Sequence, residues 1–206
     1  MAEHREFGYR RLHSLLGVVP IGIFLVQHLV INHFAVYGEE SFNAAAGVMH
    51  DLPFRLLLEI VVIYIPILFH AILGVYIVFT ARNNVSKYGY FRNWMFKLQR
   101  YTGVITLVFI AWHVFETRVQ IGLGNADLDY SLMEGILTNP FMFWFYVIGV
   151  LSAVFHFANG LWSFLVTWGF TQSPKSQQIA TYATILVFLG VSYIGIRSLI
   201  TFAYGV

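Results

Sequence analysis

Long apolar stretches alternate with short polar ones along this chain, on a scale far coarser than one helix face or one strand. Five segments carry the pattern: residues 15–36, 56–81, 101–115, 140–170 and 179–204. Each is bounded by charged or loop-forming residues, and roughly 20 apolar residues suffice for a helix to cross a hydrocarbon core of about 30 Å. The segments therefore read as membrane spans. Pro53 and Pro140 precede or open the second and fourth, where a missing N–H matters least, and Ser173-Pro174 punctuates the turn before the fifth. Pro20 and Pro66 fall inside spans and are expected to bend them, because each removes a backbone hydrogen bond and crowds the preceding turn.

The predicted fold class is an all-α integral membrane protein, a five-transmembrane-helix bundle in which residues 1–206 form a single membrane domain. With 58% hydrophobic and only 11% charged residues, the chain has too little polar surface to cover a water-soluble globule. Charge then orients the bundle. An N-terminus in the cytoplasm puts nine of the 12 Lys and Arg residues inside, and only Arg55, Arg118 and Arg197 outside. An odd number of spans leaves the C-terminus outside. A net charge of +2 gives no case for nucleic acid, since the basic residues sit beside apolar runs where anionic lipid explains them. The absence of cysteine excludes disulfides, iron–sulfur ligation, covalent c-type haem attachment and thiolate metal sites.

Histidine is the remaining soft ligand. Four of the eight histidines lie within apolar runs, one on each of the first four spans: His28, His70, His113 and His156. A single membrane histidine is as readily an interhelical hydrogen bond as a ligand, but one per helix shifts the weight towards ligation. Depth sharpens this. His28 lies eleven residues before Glu39 and His113 five before Arg118, so both sit near the outer ends of outward-running helices. His70 lies fifteen residues after Arg55 and His156 sixteen after Pro140, which at about 1.5 Å per residue sets both deeper. Two layers of paired imidazoles are what two six-coordinate haems b require. His70-x-x-x-Gly74 and His156-x-x-x-Gly160 place a glycine one turn after each deeper histidine, which makes room either for a macrocycle or for close helix packing. Gly22 and Gly103 give weaker hints of the same kind. His33, about 140° round the helix from His28, does not face the same porphyrin. His4 and His50 read as solvated, and His13 as a partner of lipid phosphates, with haem propionates the alternative.

Beyond these spacings, the stretches REFGYRRLHSLLGVVPIGIFLVQHLVINHF, LPFR, FRNWMFKLQR, WHVFETR and FHFANGLWSFLVTWG give the chain, over nearly its whole length, a close resemblance to a known family. It resembles the di-haem cytochrome b membrane anchors of succinate:menaquinone oxidoreductase (succinate dehydrogenase) of Bacillus-type bacteria. The resemblance implies a multi-pass protein of the bacterial cell membrane. It also implies a flavoprotein subunit with covalent FAD and an iron–sulfur subunit docked on the cytoplasmic face, neither group being held by this chain. Electrons would pass through the two haems to menaquinone, with no dicarboxylate site in the anchor. By the same resemblance His70 and His156 hold the inner haem iron, and His28 and His113 the outer one.

Three further readings stay open. Glu59, four residues after Arg55 and just inside the second span, is the expected handler of quinone protons, or else an ion-pair partner of Arg55; Glu116 and Arg118 are fallbacks beside His113. The stretch Arg82 to Arg100 reads as a cytoplasmic loop that docks the iron–sulfur partner or forms an aromatic belt. The alternatives for the whole are a quinol:fumarate reductase anchor working in reverse, and a proton or metal transporter using intramembrane histidines, which would need a polar path that these aromatic-rich spans hardly provide.

Overall fold

A computed structural model describes residues 2–82 and 84–206, with side chains from residue 6 onward. The side chains of His4 and Arg5 lie outside the described residues. Among the described residues, five helices are long and apolar enough to cross a membrane: Glu6–Tyr37, Arg55–Thr80, Phe91–Gly122, Pro140–Thr167 and Pro174–Tyr204. Apolar side chains line their outside, with Phe79 84%, Phe141 75% and Ile72 71% exposed. Leaving such side chains in water forgoes about 1.5–3 kcal/mol each relative to burial, so their exposure is tolerable only in lipid.

Local chemistry sets the helix ends. Asn139 caps the fourth span by accepting from the N–H of Phe141 at 2.9 Å, with Pro140 in the first turn. Ser173 and Ser176 form a reciprocal capping box at the start of the fifth, behind Pro174. Pro20 divides the first span at Val19 into Ala2–Val18 and Pro20–His33. Pro66 follows a π-helical stretch, Glu59–Tyr64, whose wider turn accommodates the missing N–H and the bulk of the ring. A second π stretch, Phe115–Val119, directly follows His113 in the third span.

Two features depart from the apolar pattern. The third span begins at Phe91, well before the apolar stretch at Tyr101, and Arg92, Lys97 and Arg100 ride on the helix with their cationic heads over aromatic rings. The segment Arg82 to Arg100 is therefore loop only as far as Tyr90. Two short helices, Glu39–His50 and Tyr130–Leu137, fill the connections after the first and third spans, and exposed His50 closes the former.

The tightest packing lies between the fourth span and its neighbours, the third and fifth, and the inner half of the first span packs on both the second and the fourth. Tyr146 and Phe202 are the largest fully buried side chains, joined by Phe42 and Leu137 from the connecting helices. Gly149 lies directly beneath the ring of Phe109, so any side chain there would collide with the third span. Gly149→Leu is expected to destabilise the bundle by about 1–3 kcal/mol. A lower thermal midpoint in detergent checks this, and Gly190→Leu, whose site has open space, serves as the control.

Candidate functional site: two histidine pairs inside the bundle

The rings of His28 and His113 come within 5.8 Å of each other, centroid to centroid, at an interplanar angle of 68°. Those of His70 and His156 come within 6.0 Å at 87°. Neither pair is brought together by close backbone packing. Segments Pro20–His33 and Phe91–Val114 make no extended backbone contact, nor do Ile65–Thr80 and Pro140–Thr167. Side chains alone bridge each gap.

The deeper pair is held by one device used twice. His70 Nδ1 lies 3.0 Å from the carbonyl oxygen of His13, and His156 Nδ1 lies 3.0 Å from that of Gln99. A carbonyl is acceptor only, so both imidazoles carry their proton on Nδ1 and keep a free lone pair on Nε2. One turn beyond each carbonyl stands a glycine. A Cβ on Gly17 would sit 2.5 Å from His70 Cε1, and one on Gly103 would sit 2.9 Å from His156 Cε1. Without a side chain there, each ring lies flat against the backbone that accepts from it. Residues 13, 17, 70 and 74 recur as 99, 103, 156 and 160, a constant offset of 86 residues. Leu12-x-x-x-x-Gly17-Val18 matches Leu98-x-x-x-x-Gly103-Val104, and Phe69-His70-x-x-x-Gly74 matches Phe155-His156-x-x-x-Gly160. That internal repeat is the signal by which Gly17 and Gln99 were legible in the sequence.

The glycines therefore rank differently from expectation. A Cβ on Gly74 would meet His13 at 3.4 Å and one on Gly160 would meet Gln99 at 3.3 Å, while Gly22 faces Phe157. Gly103 touches a paired histidine directly. His13 is likewise corrected from lipid partner to bundle interior. Its ring stacks on His70 at 3.9 Å, and its Nε2 is buried with no hydrogen-bond partner. His33 turns to the fifth span, 3.3 Å from the carbonyl of Ile194.

The outer pair rests on side chains. His113 Nδ1 lies 3.2 Å from the hydroxyl of Tyr146, which donates to Glu116 at 3.1 Å, as does Trp112. His28 Nε2 lies 3.4 Å from the amide of Asn32, which also donates to the carbonyl of His28 at 2.8 Å. Nearby, the two π stretches meet. Glu59 accepts from Arg118 at 2.9 Å and pairs with Arg55 at 3.6 Å, its side chain only 18% exposed. The ion pair of Glu59 with Arg55 is present, and Arg118 joins the second span to the third.

At the inner end, Arg11 Nε and Arg100 Nε and Nη2 are buried without partners, although Arg11 reaches the carbonyl of Thr167 and Arg100 that of Ala81. Arg92 is not a free docking cation. It lies 3.5 Å over the Trp162 ring and donates to Thr181, tying the third span to the fourth and fifth.

The donor sets suit a group that brings equatorial donors of its own. Among the described residues no cluster of three or more His, Cys, Asp or Glu side chains could hold a bare ion. Each pair offers two imidazoles. Two metal–nitrogen bonds of about 2 Å, plus about 1 Å from each coordinating nitrogen to its ring centroid, come to about the observed separations. A haem b fits this arrangement, and the guanidinium nitrogens of Arg11 and Arg100 that lack partners fit its two carboxylates.

Fold and site thus define an integral membrane helical bundle with histidine pairs between its spans. The chain belongs to the succinate dehydrogenase/fumarate reductase transmembrane subunit family, whose model matches residues 81–196. It is 55% identical over 202 residues, 98% of its own length and the whole of the relative's, to the succinate dehydrogenase cytochrome b558 subunit of Bacillus subtilis (strain 168). No solved structure matches it.

A test of the glycine device follows. Gly103→Val should push His156 off the Gln99 carbonyl and weaken cofactor retention at the deeper pair about 10–100-fold. Haem content per chain after dilution in detergent, compared with Gly89→Val in open space, measures it.

Proposed function

We propose that this chain anchors a succinate dehydrogenase in the bacterial cell membrane and carries electrons from an iron–sulfur subunit, through two haems b, to menaquinone. The observation that carries the reading is the deeper pair: two imidazoles, each fixed by a backbone carbonyl on Nδ1, presenting Nε2 across a gap between helices. Haem b at each pair would supply a one-electron iron couple buried in hydrocarbon. His70 and His156 would hold the inner iron, and His28 and His113 the outer. Arg11, His13 and Arg100, whose buried donors lack partners, would take the acidic edge of the inner group. A buried N–H left without an acceptor costs about 1–3 kcal/mol, so an anion there would offset that penalty.

The name of the Bacillus subtilis relative supports the succinate-oxidising direction. In this reading the oxidation itself belongs to the flavoprotein subunit. With the N-terminus inside, the exposed residues Arg82, Lys87, Tyr88, Tyr90 and Trp94 face the cytoplasm and suit a docked iron–sulfur subunit.

Menaquinone would react near the outer pair. Its reduction takes two electrons and two protons, and Glu59 can hold a proton there while Arg118 and Arg55 keep the carboxylate in place. A lone carboxylate in this position would be costly. Two arginines make it tolerable and keep it at the membrane edge, where protons are within reach.

In the purified complex, His70→Leu or His156→Leu should abolish one low-spin spectral component and His28→Leu or His113→Leu the other. An assembled single variant that keeps both components excludes that residue as a ligand. Glu59→Gln should slow quinone reduction about 100-fold or more while both haem spectra persist. Unchanged turnover would exclude Glu59 from proton handling.

A further inference from the structure

The two histidine pairs differ in what their Nδ1 protons meet. At the deeper pair both meet neutral backbone carbonyls. At the outer pair His113 meets a phenol, and the phenol is bound in turn to a carboxylate. Glu116 Oε2 accepts from Trp112 Nε1 at 3.1 Å, and an indole N–H can only donate. The same oxygen therefore serves as acceptor for Tyr146, whose single proton is spent on it. The lone pairs of the hydroxyl are left to face His113. His113 must then be the donor in that bond, which fixes its tautomer with the proton on Nδ1 and frees Nε2. Tyr146 is 2% exposed, so no water competes for the hydroxyl.

From this chain of contacts we infer that Tyr146 and Glu116 are positioning residues that hold down the reduction potential of the outer haem through His113. The inference rests on the reading of His28 and His113 as ligands of that haem. A hydroxyl that donates to a carboxylate is a better acceptor than a free one, because hydrogen bonds in a chain polarise one another. A stronger acceptor on Nδ1 makes the imidazole a more basic ligand. A more basic ligand favours ferric over ferrous iron, which lowers the potential. The inner haem has no such chain and is left untouched.

Geometry makes the substitutions clean. Tyr146→Phe removes one oxygen and keeps the buried ring that packs edge-on against Phe109 at 5.2 Å. Glu116→Gln keeps the shape and an acceptor oxygen but lacks the carboxylate. Glu116→Asp keeps the carboxylate and tests rescue.

The experiment is a spectroelectrochemical titration of the purified succinate dehydrogenase complex, with haem counted per chain and low-spin signals recorded for each variant. In Tyr146→Phe the ferric/ferrous equilibrium of the outer haem should shift about tenfold towards ferrous, which is ~59 mV upward for a one-electron couple. Glu116→Gln should move it the same way by less, and Glu116→Asp should restore most of the shift, while the inner haem stays fixed in all three. An outer midpoint unchanged in both Tyr146→Phe and Glu116→Gln, with both haems retained, overturns the inference and leaves the haem assignment standing. Loss of haem in Tyr146→Phe with an unshifted Glu116→Gln also overturns it, since the tyrosine is then only structural. An unaltered complex with no haem on His28 and His113 overturns the assignment and the inference together.

Discussion

An imidazole placed in hydrocarbon must have both nitrogens accounted for, and the arrangement of this bundle follows from meeting that demand at fixed depths. Each deeper histidine satisfies Nδ1 on a helix carbonyl that already accepts from the N–H one turn on. The second lone pair of the carbonyl is reachable only where the helix has no side chain in the way, which is why glycine stands four residues further along. The ring is then clamped from behind, and Nε2 projects into a gap that the backbones leave unfilled. Helices that met ridge into groove would close that gap, so loose backbone contact between the paired spans is a requirement of the site.

The two ends of the bundle carry different chemistry. Arginines with nitrogens that lack partners lie towards the end of the bundle where the chain begins, whereas carboxylates, a phenol and two π stretches gather at the opposite end. A π turn rotates every following side chain relative to an ideal helix, and here both turns lie where polar residues must be turned into the bundle. Glu59 and Arg118 sit on them and meet across the spans at 2.9 Å. Half-buried ion pairs such as these contribute little net stability once desolvation and solvent screening are counted. Their retention in an apolar protein is better explained by a task than by folding.

Much of this was legible beforehand. The five spans follow from apolar length alone, and the two histidine layers from residue counts against the nearest charges. Length failed where charged residues lie on a helix instead of ending it. Phe91 to Arg100 is helical, and Arg92, Lys97 and Arg100 are accommodated on it with their cationic heads over Trp162, Trp94 and Phe96. Residue type failed for His13 and Tyr146, since nothing in a single position tells whether a side chain at the membrane edge turns outward to lipid or inward to a histidine. The helix Glu39–His50 was hidden for a related reason, only Phe42 and Ala46 of it being buried. Gly17 was hidden only until the chain was compared with itself.

The internal repeat also explains why the pair His28 and His113 is built differently. Carried forward by the offset that links His70 to His156, His28 would fall on Val114, yet the histidine stands one residue earlier at position 113. One residue is about 100° of rotation on a helix. A histidine at 114 would address a different neighbour, whereas His113 lies against Phe109 and the fourth span, where Tyr146 is the polar group within reach. A backbone carbonyl offers every histidine the same neutral acceptor and leaves little to adjust. A side-chain acceptor can be chosen, polarised and coupled to a charge. Breaking the repeat by one residue therefore exchanges a fixed partner for a tunable one, and it does so at the pair nearest the carboxylates of the outer end.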